Sequence, residues 1–201
     1  YKVAHLFDKN SISYNFINMK EFFPTSTPIK ASEDPYIFKK RDDFIMPDSY
    51  EFEGEEKQII ESIDYFNTDG LMILKDGEVH YENYWNENKE TSRHIIWSVS
   101  KSFLSALVGI ALDEGLIEDI NDPIIKYLKD FKGTGYEGVS IKNLLQMSSG
   151  IEFNEDYGDP DSDINRYGRV TATGTSQREF AKTLKNSREP GTYNHYISLD
   201  S

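Results

Sequence analysis

Ser98 and Lys101 stand three residues apart in Trp97-Ser98-Val99-Ser100-Lys101-Ser102-Phe103, at the entry to the most apolar periodic segment of the chain. Positions i and i+3 share one face of a helix, so the Ser98 hydroxyl and the Lys101 amine can come within hydrogen-bond reach. A helix N-terminus carries partial positive charge, and burial among Trp97, Phe103 and Leu104 would further disfavour an ammonium ion. An amine made neutral in this way can take the serine proton and activate a weak nucleophile. The Ser98 backbone N–H, at the same helix end, would donate toward a developing oxyanion. A second reading fits the same spacing: Ser98 caps the helix and Lys101 is solvated in its first turn. With 19 Ser and 16 Lys in the chain, chance supplies about one or two Ser-x-x-Lys pairs and the sequence holds this one alone, so the weight rests on context.

Other chemistries find less support. No GxSxG elbow, Walker loop or HExxH occurs. The four histidines, His5, His80, His94 and His195, are scattered. His94 or His195 could join a Ser/His/Asp arrangement, which is geometric rather than sequential, but no spacing favours it.

Stepping outward from Ser98, residues 1–50 mix aromatics with turn formers (Phe23-Pro24, Thr27-Pro28, Asp34-Pro35, Met46-Pro47) and read as an extended lead-in. A helix is expected over Gln58 to Phe66, ending before Asp69-Gly70. Leu71 to Leu74 and Val79 to Glu82 flank Asp76-Gly77, the pattern of a tight hairpin whose central residues tolerate positive φ. The first of these strands is apolar on both faces, which predicts a central strand covered on both sides. From Ser98 to Glu114 the apolar spacing is helical, with Gly115 at its C-terminal cap. Asp122-Pro123 should open a short helix to Leu128, Ser140 should cap one through Leu144, and Ser176 to Glu179 is a capping box for another. Glu152 to Gly174 reads as a long acidic loop. The resulting division is a lead-in over 1–50, an α/β part over 51–115 and a mainly helical part over 116–201, an α+β arrangement with sheet and helices segregated.

Composition narrows the partners. The chain has 201 residues and a net charge of −13, which argues against nucleic-acid binding, because that depends on Lys and Arg displacing counterions from phosphates. An apolar content of 37% permits a sizeable core and argues against disorder. The stretch Phe103 to Leu112 is too short to span a bilayer, which needs about 20 apolar residues. With no Cys, thiolate chemistry and disulfide scaffolds are excluded, and the compartment is left open. The start at Tyr1 leaves room for a removed leader, so a bacterial periplasmic or secreted location is preferred to a cytoplasmic one. Oligomeric state is not legible.

Several stretches in order resemble the serine β-lactamase and penicillin-binding-protein superfamily, class C-like branch. They are Trp97 to Phe103 after the Leu71 to Trp85 hairpin, Leu116 to Pro123, Ile141 to Ile151, and Glu189-Pro190-Gly191-Thr192. The acidic run Phe153-Asn154-Glu155-Asp156-Tyr157 is most similar to the 6-aminohexanoate-dimer hydrolases and related esterases. The resemblance covers residue 51 to the end. It implies a β-lactamase-like fold, an antiparallel sheet flanked by helices plus a mainly helical region, of which this chain would be the N-terminal portion. It also implies hydrolysis of a small amide or ester through an acyl-enzyme, with no cofactor or metal. The family roles fall on Ser98 as nucleophile, Lys101 as its base partner and Tyr196 of the Tyr-x-Asn motif as a proton carrier. Ser198 stands where that motif has Asn, and Tyr193 of Tyr193-Asn194-His195 competes with Tyr196. The family's Lys/His-Thr/Ser-Gly strand, which supplies the second oxyanion donor, is absent, so the chain by itself is expected to be inactive. A non-catalytic ligand-binding or receptor domain is the alternative.

Overall fold

The computed structural model describes residues 5–23, 27–41 and 43–201, which form two compact units, one up to Ile95 and one from Ile96 onward. In the first unit, β4 (Gly70–Lys75) and β5 (Glu78–Tyr84) form the expected hairpin, with Ile73 opposite Tyr81 and an irregularity between Ile73 and Leu74. Asp76 and Gly77 take φ of 53° and 77°. That pair of left-handed residues is what a two-residue turn between right-twisted strands demands.

The central strand is β5 rather than β4. The dipeptide β1 (Lys39–Lys40) pairs parallel to β5, giving the order β1-β5-β4. Charge reinforces the pairing: Glu78 takes Lys39 and Arg41, and Glu82 takes Lys40 at 2.8 Å. Hydrogen bonds from Arg41 and then Lys39 hold the Glu78 carboxyl down at about 2. On β4, Met72 and Leu74 remain nearly half exposed, so the two-sided apolar pattern does not report two-sided cover among the described residues.

The lead-in is not uniformly extended. It contains α1 (Ile12–Ile17), a 3-10 turn (Met19–Glu21) and β1; Pro24 lies outside the described residues. A second hairpin, β2 (Ser49–Phe52) with β3 (Glu55–Gln58), leads into α2 (Ile59–Tyr65) at the expected helix.

The second unit holds the larger core: Ile124, Phe131, Tyr136, Val139, Ile151, Phe153, Ile164, Phe180, Ala181, Leu184 and Ile197. It starts with α3 (Ser100–Asp113). Ser140 caps α4 (Ile141–Leu145) through a reciprocal box with Asn143, which satisfies backbone groups that a helix end leaves unpaired. After Pro123 comes only a 3-10 turn, Ile124–Lys126, because the Asp122 carboxylate is occupied by Lys126 and Tyr127 instead of capping. The acidic segment read as a loop contains α5 (Asp163–Ala172), capped by Ser162, with Ile164, Tyr167 and Val170 turned to the core at three-residue spacing. Ser176 caps α6 (Gln177–Thr183), while Glu179 pairs with Lys182 rather than closing a box.

Helix α3 departs most from expectation. Its stripe Phe103, Leu107 and Ile110 is 64%, 60% and 53% exposed, and Trp97 and Leu104 are exposed as well. The apolar enclosure expected around Lys101 is therefore not built by these side chains. Among the described residues, no helix is long and apolar enough to cross a membrane.

Candidate active site

Trp97, Ser98 and Val99 form a 3-10 turn that feeds directly into α3. Trp97 sits at φ +44°, a conformation costly for a bulky residue and typical of places where the surrounding structure over-determines the backbone. The Ser100 hydroxyl donates to the Trp97 carbonyl at 2.6 Å and fastens the turn. Ser98 is left on the exposed side of the helix entry.

Two groups converge on its oxygen. Lys101 Nζ donates to Ser98 Oγ across 3.4 Å, a loose contact of the kind common before a substrate tightens the site. Tyr196 Oη donates to Ser98 Oγ at 2.8 Å, and Lys101 Nζ lies 5.6 Å from the Tyr196 ring centroid. The three residues singled out from the sequence thus lie together within the second unit. Partial burial pushes the Tyr196 phenol up, but its hydrogen bonding with Ser98 and Lys101, the Lys101 charge and the Ser198 hydroxyl outweigh it, and its pKa falls below the ordinary phenol value. A phenol so placed ionises more readily than a free tyrosine.

Tyr196 reaches Ser98 because its segment is tied down on both sides. Gly191 N–H donates to Ser148 O at 2.8 Å, Asn194 Nδ2 to Gln146 O at 2.8 Å and His195 N–H to Met147 O at 2.7 Å. Behind them, Ser187 and Arg188 N–H groups both reach the Gly150 carbonyl. Gly150 adopts φ +75°, and a Cβ there would stand 2.1 Å from Arg188 O, so this close approach admits only glycine. Ile197, 1% exposed, anchors the segment in the core.

Tyr193 is directed elsewhere. The Arg188 guanidinium lies 4.2 Å from its ring centroid and the His195 ring meets its edge. His94 belongs to the first unit, where Nε2 faces Asp69 at 2.9 Å.

Sequence reasoning assigned no role to Glu155. Its carboxylate accepts the Ser198 backbone N–H at 2.9 Å and the Ser198 hydroxyl, and it also accepts the Tyr157 hydroxyl at 3.1 Å. The signal that could have found it is the acidic Asn154-Glu155-Asp156-Tyr157 run, since a carboxylate is the natural partner for a serine standing in place of Asn. Among the described residues, no cluster of His, Asp or Glu could hold a metal ion.

A 6-aminohexanoate-dimer hydrolase of Paenarthrobacter ureafaciens is 33% identical over 135 residues, covering 64% of this chain and 34% of that protein. A Beta-lactamase of Pseudomonas fluorescens is 30% identical over 107 residues, covering 48% of this chain and 30% of that one. The chain therefore spans about a third of the length of these curated relatives. A solved structure from Bacillus anthracis, provisionally named as a 6-aminohexanoate-dimer hydrolase, superposes with a TM-score of 0.77 at 19% identity, covering 97% of this chain and 53% of that one, which shows the shared β-lactamase-like fold. The Beta-lactamase family pattern matches residues 57–200, including Ser98, Lys101 and Tyr196, and the chain belongs to that family.

Proposed function

We propose that this chain carries the nucleophile, its base and its proton carrier for a serine hydrolase that cleaves a small amide or ester. The observation that carries this reading is the convergence of Lys101 and Tyr196 on Ser98 Oγ, from positions 3 and 98 residues away in the chain. In the reaction, Ser98 Oγ bonds to the substrate carbonyl carbon while its proton passes to Tyr196 or Lys101. The tetrahedral intermediate expels the amine or alcohol, which takes that proton, and leaves an ester on Ser98. Water, deprotonated by the same pair, then releases the acid and restores the hydroxyl. The Ser98 backbone N–H at the helix entry is one donor for the oxyanion.

The hydrolase names of the relatives, the family pattern and the fold support this reading. An open-chain amide of an ω-amino acid, the chemistry in the name of the Paenarthrobacter relative, is the first substrate to try, followed by a short-chain ester, a β-lactam and a D-amino-acid peptide.

The test is covalent labelling of the full-length protein with a fluorophosphonate, followed by peptide mass spectrometry. The label is expected on Ser98 and should vanish in Ser98→Ala with the fold retained. Labelling that survives this substitution refutes Ser98 as nucleophile. An unlabelled protein that still binds a lactam saturably would assign the site to ligand binding without turnover.

A further inference from the structure

Of the described residues in the second unit, two other than glycine lie at positive φ: Trp97 at +44° and Met147 at +49°. Neither is Asn or Asp, the residues that enter this region most readily. Such conformations persist where the surrounding structure over-determines them, and they gather at functional sites. Both of these lie on the site. Trp97 directly precedes Ser98, and the Met147 carbonyl accepts the His195 N–H at 2.7 Å, one residue before Tyr196.

Each turn is fastened by a side chain. Met147 stands where the chain reverses after α4, with its own N–H donating to Leu144 O and the Ser148 N–H to Asn143 O. Glycine usually completes that pairing, and here a methionine does. Asn194 Nδ2 donates to the adjoining Gln146 carbonyl at 2.8 Å and so ties the Tyr196 segment to this turn. At the other turn, the Trp97 carbonyl accepts the Ser100 N–H and, at 2.6 Å, the Ser100 hydroxyl. Ser100 is the first residue of α3, yet its hydroxyl is directed backward to the residue before the nucleophile.

We propose that Ser100 and Asn194 are a pair of positioning residues: Ser100 holds the Trp97 turn so that Ser98 Oγ faces Tyr196, and Asn194 holds the 191–196 segment to the Met147 turn so that Tyr196 Oη meets it. The proposal rests on Ser98 as nucleophile and Tyr196 as proton carrier. What the two side chains set together is the 2.8 Å hydrogen bond from Tyr196 Oη to Ser98 Oγ. Without either fastening, a strained turn is free to relax toward ordinary φ, and a displacement of about 1 Å between reacting groups can cost about 10²-fold in rate.

The experiment compares full-length wild type with Ser100→Ala, Ser100→Thr, Asn194→Ala and Asn194→Asp. Threonine keeps the hydroxyl, whereas aspartate keeps the shape of Asn and loses its donor. One readout is kcat and KM on a short-chain ester. The other is the 13Cζ-tyrosine NMR titration of Tyr196, assigned by its loss in Tyr196→Phe. Ser100→Ala, Asn194→Ala and Asn194→Asp should retain the wild-type circular dichroism and lower kcat by about 10- to 10²-fold, with KM within a few-fold. Ser100→Thr should stay within a few-fold of wild type in both. Hydrogen bonding with Ser98 and Lys101 holds the Tyr196 phenol down, so the three impaired variants should also move its midpoint up, by about half a pH unit or more. Wild-type kcat in Ser100→Ala or in the Asn194 variants overturns the proposal. So does a Ser100→Thr variant as slow as Ser100→Ala, or a Tyr196 midpoint that stays in place while kcat falls, which would mean a general loosening rather than a lost alignment. If Ser98→Ala is still labelled by a fluorophosphonate, Ser98 as nucleophile fails, while the Tyr196 midpoint still reports separately whether Ser100 and Asn194 set its contact with Ser98.

Discussion

Replacing Asp200 by Asn should remove a pH-dependent weakness from the core of the second unit. Asp200 is 6% exposed, its Oδ1 receives the Tyr136 hydroxyl at a long 3.4 Å, and its Oδ2 is buried without a partner. Burial pushes its carboxyl up to about 6, only partly opposed by hydrogen bonds from Ser149 and Tyr136, while the same burial, followed by the Asp200 charge, raises the Tyr136 phenol. Because the folded value lies above the usual carboxylate value, the native state holds a proton that the unfolded chain has already released. The associated stability is fully present below about pH 4 and is lost as pH rises through about 6. A separation of about two pH units, at about 1.4 kcal/mol per unit, makes this loss about 3 kcal/mol. Asn cannot ionise, so Asp200→Asn lacks that loss, although its NH2 group brings a constant cost for a buried donor of about 1–3 kcal/mol. Urea unfolding of the two full-length proteins from pH 3.5 to 8 isolates the effect, because the other titrating groups cancel in the difference. The difference should move by about 3 kcal/mol in favour of Asn between pH 4 and 7 and be level on either side. A difference curve flat across the whole range would refute the reasoning, since Asp200 would then titrate alike in the folded and unfolded chains.

The remaining expectations concern the site and its support. Tyr196→Phe should lower kcat/KM for an ester by about 10²–10⁴-fold, whereas Tyr193→Phe should leave it within a few-fold of wild type; steady-state kinetics on the two purified variants decides between the tyrosines. Lys101→Ala and Lys101→Arg should both lose activity on a comparable scale, because a guanidinium keeps the charge but cannot take a proton at neutral pH. Turnover by Lys101→Arg near wild type would show that only the charge matters. Gly150→Ala should lower the melting temperature, by a cost of about 1–3 kcal/mol or more, because it combines a strained φ with a Cβ 2.1 Å from Arg188 O. Since Gly150 braces the segment leading to Tyr196, activity should fall with it.

What could be seen in the sequence was whatever neighbouring residues decide among themselves. Asp76-Gly77 specifies a two-residue turn through its own backbone preferences, and Ser140 with Asn143 closes a helix end within one turn. Ser98 and Lys101 need only the pitch of a helix entry to meet, and the ordered family stretches pointed to the fold. The larger misreadings involve partners far away in the chain. Helix α5 was hidden in acidic, glycine-containing sequence because its formation depends on Ile164, Tyr167 and Val170 finding the core, which outweighs weak local preference. The central strand was misplaced because β1, some forty residues before β5, decides it. The exposed stripe of α3 shows that apolar spacing predicts a face but not which residues cover it.

The site divides along the same line. Sequence alone determined that a serine and a lysine would share a helix entry and that two tyrosines, three residues apart, competed to join them. Tertiary structure set Tyr196 rather than Tyr193 against Ser98, because the 191–196 segment has no regular period of its own and takes its course from bonds to the backbone of Gln146, Met147 and Ser148. It also brought Glu155 to Ser198 across 43 residues of chain. Hydrogen bonds between distant segments are set by how a core packs, and no local spacing encodes them.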